Sequence, residues 1–249
     1  GAGLSTFQTG SDMIVEDAFG MYWIAMNDGR LIRYDRNGSG AMQLFEPRLE
    51  HGAKEGGILF PLMLGTGNAL WFGGNHALWR CDVRTPVFTA FRWPVPVVND
   101  PYDFTAALHE GPDGLIWAGT MQGLLRLDPR TGDWRHYKSD PKNSRTLATD
   151  IIFSICADPD EPTGVLWLGT SGGGLNRFDT RTGEVQRFNT SNGMPNDVVY
   201  GVLADARGHL WMSTNAGLVR FDRNTGAVRS FTVSAGLQSN EFNRYAYAK

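Results

Sequence analysis

Few residues in this chain have types and spacing that could do chemistry, and most of them occupy recurring slots. Gly169, Ser171 and Gly173 spell G-x-S-x-G, the pattern of a nucleophilic serine on a strained strand-to-helix elbow beside a histidine. The same slot holds Thr120 to Gly123 and Thr214 to Gly217 elsewhere in the chain, which predicts a hairpin turn instead. Asp158, Asp160 and Glu161 suggest a calcium loop, but an EF-hand needs glycine at the sixth position, where Thr163 stands. A solvated acidic turn is the simpler expectation. His51, His76, His109, His136 and His209 occupy five different slots, with no pair at metal-ligand spacing. These residues predict no catalytic group, no metal site and no cofactor.

A different set suits binding. Asn99, Tyr102, Arg145, Asp150, Asn196, Tyr200, Asn240 and Arg244 lie in or just after four variable, polar segments: 94–103, 139–150, 191–197 and 234–243. Amides, carboxylates, arginines and tyrosine rings at these positions can hydrogen-bond and stack with a polar ligand such as a sugar.

The elements that must position them are repeats. Trp23, Trp71, Trp117, Trp167 and Trp211 are spaced by 48, 46, 50 and 44 residues. Three residues before each stands Gly20, Asn68, Gly114, Gly164 or Gly208, types that accept a left-handed turn. Eleven or twelve residues after each comes Asp35, Asp82, Asp128, Asp179 or Asp222, preceded two places earlier by Arg33, Arg80, Arg126, Arg177 or Arg220. Each copy closes on Phe45, Phe91, Tyr137, Phe188 or Phe231. One further strand precedes each Trp, as at 150–157 and 197–204, giving four strands in about 46 residues.

Such a sheet is apolar on both faces and must stack on copies of itself. The prediction is all-β: a β-propeller of four-stranded antiparallel blades at about 7–45, 58–91, 103–137, 150–188 and 197–231, with 236–249 beginning a sixth. An open β-solenoid would want a shorter repeat. The inner strands, apolar on both faces, fit positions covered on either side. Each Trp is expected to wedge between neighbouring blades, and no helical segment is expected across 114–231. A residue needed once per blade is more simply structural than ligand-binding. Each recurring Arg is therefore expected to bond carbonyls or a carboxylate near the Asp-x-x-Thr-Gly turn, with its stem on apolar surface. Asp and Thr should hold that turn through side-chain to backbone bonds.

A net charge of −3, with nineteen Arg and four Lys scattered along the chain, excludes nucleic acid or an anionic membrane as an electrostatic partner. No apolar run approaches the roughly 18–20 residues that span a bilayer. Cys81 and Cys156 occupy non-equivalent slots in different blades, so they are expected to be two small buried hydrophobes, not a disulfide.

The string G-x-x-W-x-G-T-x-x-G-L-x-R-x-D-x-x-T-G-x-x-x-x-F, best seen at 114–137 and 164–188, resembles the two-component regulator propeller repeat. The segment GLQSNEFN at 236–243 also looks like the approach to the closing blade of such sensors. The resemblance implies the periplasmic sensor region of a membrane-bound, often hybrid, bacterial histidine kinase that works as a dimer. It further implies a seven-bladed ring of which this chain holds part, followed by an immunoglobulin-like domain, a membrane helix and the kinase. Many members sense oligosaccharides. It offers no catalytic residue to carry over. Two other readings stand beside it: a propeller enzyme resembling virginiamycin B lyase, which would need His and Glu converging on one face, and a protein-binding scaffold.

Overall fold

The computed structural model describes residues 13–26, 28–35, 38, 40–47, 61–74, 77–94 and 104–242. Among them the chain forms five four-stranded antiparallel sheets, each a meander of consecutive strands. Blade 1 is β1 (Ile14–Glu16), β2 (Met21–Ala25), β3 (Leu31–Asp35) and β4 (Met42–Phe45). Blade 2 is β5 (Leu62–Leu64), β6 (Ala69–Gly73), β7 (Ala77–Asp82) and β8 (Val87–Arg92). Blade 3 is β9 (Thr105–Glu110), β10 (Ile116–Thr120), β11 (Gly123–Asp128) and β12 (Asp133–Tyr137). Blade 4 is β13 (Ile152–Ala157), β14 (Val165–Thr170), β15 (Leu175–Asp179) and β16 (Val185–Phe188). Blade 5 is β17 (Val199–Ala204), β18 (His209–Thr214), β19 (Gly217–Asp222) and β20 (Val228–Phe231). First strands of successive blades touch one another, and the second strand of blades 2, 3 and 4 touches the first strand of the next, the stacking of a β-propeller.

The recurring residues explain this stacking. Each Trp lies directly across from the recurring Arg of the next strand: Trp23 and Arg33, Trp71 and Arg80, Trp117 and Arg126, Trp167 and Arg177, Trp211 and Arg220. Each indole also packs on the closing aromatic of its own blade, with ring centroids 5.4–6.0 Å apart. The indoles of the first four blades then enter the apolar cluster of the following blade. Trp167, for example, shares a cluster with Val202, Leu210 and Phe221. Burying one such ring removes about 150–250 Å² from water, worth at most about 4–6 kcal/mol before entropy. Trp211, in the last described blade, is only half-buried.

The glycine and threonine of W-x-G-T have separate duties. A Cβ at Gly119 would meet Ile152 Cγ2 at 2.8 Å, and one at Gly169 would meet Val199 O at 2.8 Å, so glycine lets the next inner strand approach. The threonine hydroxyl closes the hairpin: Thr120, Thr170 and Thr214 Oγ1 donate to the carbonyls of Gly123, Gly174 and Gly217 at 2.8–2.9 Å.

Among the described residues, no blade covers one face of blade 1. Ile14, Ile24, Ile32 and Leu44 form one row across it, and Tyr22, Tyr34 and Met42 continue another. Tyr34 is 37 % exposed, whereas its equivalents Cys81, Leu127, Phe178 and Phe221 are at most 1 % exposed.

Two expectations need correction. A one-turn 3-10 helix at Thr190–Asn192 interrupts the helix-free stretch predicted across 114–231. Its cause is local: the Asn189 side chain accepts from Ser191 N, the Asn192 side chain accepts from Asn189 N at 2.7 Å, and Gly193 ends the turn at φ 107°. Further 3-10 turns lie at Thr66–Asn68 and Val233–Ala235. Gly20, Asn68, Gly114 and Gly208 adopt the expected positive φ, but Gly164 does not, because the longer turn after Asp158 reaches it differently. The segments 7–12 and 58–60, the sixth-repeat residues 243–249, and His51 and His76 lie outside the described residues.

Candidate functional site

The linkers between blades and the hairpins joining second to third strands share one end of each sheet. The inner strands carry a β-bulge there, at registers that leave Ala106, Phe153 and Tyr200 as the extra residue in blades 3, 4 and 5. Bulges re-aim side chains beside functional sites. The Phe153 and Tyr200 rings stack across the seam between blades 4 and 5, with centroids 5.5 Å apart and planes at 19°. Phe153 is buried and Tyr200 half-buried, so the pair ends in an accessible phenol ring. Asn196 lies three residues before β17 and turns its own linker, its Oδ1 accepting from Val198 N at 2.8 Å.

The other predicted ligand residues have different positions. Asp150 accepts from Ser139 N at 2.6 Å and pairs with Lys138 at 3.5 Å, pinning its linker. Asn240 does the same, accepting from Val233 N at 2.8 Å, and Asp197 repeats the device with Thr190. Arg145 is drawn to the outer edge of blade 4. There its carbonyl accepts from Val185 N at 2.8 Å and its guanidinium pairs with Glu184 at 2.9 Å, away from Tyr200. Asn99, Tyr102 and Arg244 lie outside the described residues. Of the predicted set, Asn196 and Tyr200 share one linker and the strand it enters, and the Arg145 and Asp150 side chains are occupied elsewhere.

Two of the recurring Arg residues, Arg33 and Arg126, correct another expectation. The Arg33 guanidinium lies over the Trp23 ring at 5.5 Å and Arg126 over Trp117 at 6.0 Å, and the Nε of each is buried without a hydrogen bond. Cross-strand register sets this: an Arg opposite an indole stacks on it more readily than it reaches the turn two residues on. The turn itself is held by aspartate. Oδ1 of Asp82, Asp179 and Asp222 each accepts two backbone N–H bonds, and that of Asp35 or Asp128 accepts one. Thr131, Thr182 and Thr225 Oγ1 accept from the residue two further on.

A further feature recurs in three blades. The indole N–H of Trp23, Trp167 and Trp211 donates to Asp17, Asp158 and Asp205 at 2.8–3.0 Å. Aspartate six residues before Trp23 and Trp211, and nine before Trp167, was its signal. In blade 2 this slot is Gly65, and a carboxylate comes instead from the next blade: Glu110 accepts from Thr66 N at 2.7 Å and Thr66 Oγ1 at 2.6 Å, occupying the space a Cβ at Gly65 would need. The acidic turn of blade 4 is an ion-pair site. Arg223 of blade 5 reaches Asp158 at 2.6 Å and Asp160 at 2.8 Å, and also donates to the Gly208 carbonyl. Burial alone would raise the Asp158 carboxyl, but the Trp167 and Arg223 bonds outweigh it and hold it below its ordinary value. The Trp211 N–H likewise holds Asp205 far below the usual carboxylate range, with burial opposing and the His209 and Arg207 N–H groups assisting.

Ser171 sits in its hairpin, its N–H bonded to the Ile151 carbonyl. His209 Nδ1 meets Asp205 and His136 Nε2 meets the Gln122 carbonyl, in different blades. No group of three or more His, Cys, Asp or Glu among the described residues comes together in a way that could hold a metal. Cys81 and Cys156 are free and buried.

These blades, with an indole at each seam and polar linkers at one end, define a β-propeller of tandem repeats. Residues 193–216 match the family described as two component regulator propeller. No curated protein matches. Among solved structures it is similar to the extracellular domain assigned to the hybrid two component system BT3049 from B. thetaiotaomicron, with TM-score 0.68 and 20 % identity over 87 % of this chain and 29 % of that one. PorZ, a bacterial surface component of the type-IX secretion system of Porphyromonas gingivalis, gives TM-score 0.71 and 15 % identity over 92 % and 34 %. A streptogramin B lyase gives TM-score 0.64 and 19 % identity over 88 % and 67 %. The chain thus spans about a third of the first two, and at these identities the likeness is one of fold.

Proposed function

We propose that this chain is the ligand-sensing, non-catalytic propeller segment of a membrane-bound two-component sensor, located in the periplasm, and that it takes an oligosaccharide or other polar small molecule at the linker end of its blades. The observation that carries this reading is the division of labour among its residues. The Trp, Asp and closing aromatic found in every blade are engaged in stacking and turns, and Arg33 and Arg126 lie over their indoles. The half-buried Tyr200 has no tyrosine counterpart at the equivalent bulges of blades 3 and 4, where Ala106 and Phe153 stand, and it lies at the end where linkers gather. Aromatic rings backed by a rigid scaffold suit stacking on a sugar face. The apolar face of blade 1, which no blade among the described residues covers, supports further blades in the same polypeptide, as the family repeat also suggests, with an immunoglobulin-like domain, membrane helix and kinase beyond them. Dimerisation belongs to the same proposal.

Lyase chemistry is less well supported, because His109, His136 and His209 do not converge. A glycan array followed by calorimetry tests the proposal. Saturable glycan binding without turnover, reduced at least about tenfold in Tyr200→Ala, is expected. Chelator-sensitive turnover, or glycan binding indifferent to Tyr200, would refute it.

A further inference from the structure

The slot at which the inner strands bulge reads Ala106, Phe153 and Tyr200 in blades 3, 4 and 5, so these side chains stand at one level of the linker end. Ala106 is buried in a cluster with Phe104, and Phe153 is 4 % exposed, so the row opens to solvent at Tyr200. Phe153 stacks on one face of the Tyr200 ring at 5.5 Å, which leaves that ring one face for a ligand. Two neutral donors on the same linker and strand are unspent. Among the described residues the Tyr200 hydroxyl has no hydrogen-bond partner, and Asn196 uses its Oδ1 on Val198 N while its Nδ2 hydrogens meet no acceptor.

The charges around this end are of one sign. The linkers at 189–198 and 232–242 and the hairpins at 171–174 and 214–217 contain no Lys, Arg or His, but they hold Asp197 and Glu241. These segments lie together: Gly174 N donates to the Asp197 carbonyl at 2.8 Å, Ser171 bridges Val198, and Gly217 N donates to the Asn240 carbonyl at 2.7 Å. Asp197 bonds Thr190 and Glu241 is exposed, and neither carboxylate pairs with a cation among the described residues. In the linker between blades 3 and 4, Lys138 pairs with Asp150 at 3.5 Å and Arg145 with Glu184 at 2.9 Å. Lys142 adjoins Asn143, whose carbonyl Arg187 of β16 ties to the outer edge of blade 4. An acidic ligand at Tyr200 would therefore meet two carboxylates and no counter-charge, a repulsion that an uncharged one escapes. A pyranose offers a face of C–H groups for stacking and hydroxyls for neutral donors. Building on the glycan reading of Tyr200, we propose that this site selects uncharged sugars. One pyranose face rests on the open face of Tyr200, its hydroxyls accept from the phenol and from Asn196 Nδ2, and Asp197 and Glu241 turn away uronic acids and sulfated sugars.

A glycan array carrying cello-, manno- and xylo-oligosaccharides beside polyglucuronate, polygalacturonate and heparin tests this on the full chain at low and high salt, followed by calorimetry on the tightest binder. The binders should be uncharged, with affinities unchanged by salt and reduced at least about tenfold in Tyr200→Ala. Tyr200→Phe, which keeps the ring and loses the hydroxyl, should cost about threefold. Polyglucuronate should bind at least about tenfold more weakly than the tightest neutral chain, and Glu241→Gln, at an exposed position, should narrow that gap about twofold at low salt. An acidic glycan among the tightest binders, binding weakened by salt, or a gap unmoved by Glu241→Gln would overturn the charge selection and leave the glycan reading standing. No bound glycan, or binding indifferent to Tyr200, would bring both down.

Discussion

Removing Arg223 should unlatch blade 4 from blade 5. Its guanidinium side chain is 7 % exposed and that of Asp158 8 %, whereas Asp160, bonded by the same arginine, is 74 % exposed. Breaking a buried pair by deleting one partner costs about 3–5 kcal/mol, since the other charge stays buried. Asp158 keeps its bonds from Trp167 and the backbone, so Arg223→Met is expected near the lower end, about 3 kcal/mol. Asp160→Ala should cost at most about 1 kcal/mol, as an exposed partner does. The assay is urea unfolding followed by tryptophan fluorescence on the two variants, Asp158→Asn and the Asp158→Asn/Arg223→Met double variant. A coupling of about 2 kcal/mol or more is expected from the cycle. The pH dependence adds an independent sign. The folded Asp158 carboxyl titrates below its ordinary value of 3.8, so its contribution is present above that pH and lost as pH falls through the lower, folded value. The gap between wild type and Arg223→Met should therefore narrow below about pH 4. Additivity within about 0.5 kcal/mol, or equal costs for Arg223→Met and Asp160→Ala, would refute the latch.

Trp167→Ala should cost about 3–5 kcal/mol and broaden unfolding as the seam opens, whereas half-buried Trp211→Ala should cost less; equal losses in denaturant melts would contradict the seam geometry. Gly169→Ala should destabilise by about 1–3 kcal/mol, and Ser154→Ala should not rescue it, because the Val199 carbonyl still blocks the added carbon. The Cys81 thiol, pushed up to about 12 chiefly by burial and next by Asp82, should resist alkylation at pH 8 until the protein is unfolded, which mass spectrometry of the native and urea-treated chain will read.

The blade order, strand count and tryptophan spacing were legible because each blade repeats the same local instructions, and five copies average out the departures of any one. The closing aromatic was visible as a position, and its packing on the indole follows from antiparallel pairing. Sequence distance favours the turn as the Arg partner, while at Arg33 and Arg126 cross-strand register places the guanidinium over the ring. Asp150 and Asn240 looked like ligand groups because polar residues before a strand serve either purpose. Glu110 and Arg223 were missed since each works on the neighbouring blade, 44 and 65 residues away in sequence from Thr66 and Asp158. No local pattern marks such a contact.

The claim that recurring residues build the scaffold while singular ones bind is tested most directly by measuring stability and glycan affinity together on Arg126→Ala and Tyr200→Ala. Arg126→Ala should lower the unfolding midpoint and keep the affinity, and Tyr200→Ala should do the opposite. An Arg126→Ala protein that melts normally but no longer binds would contradict the account.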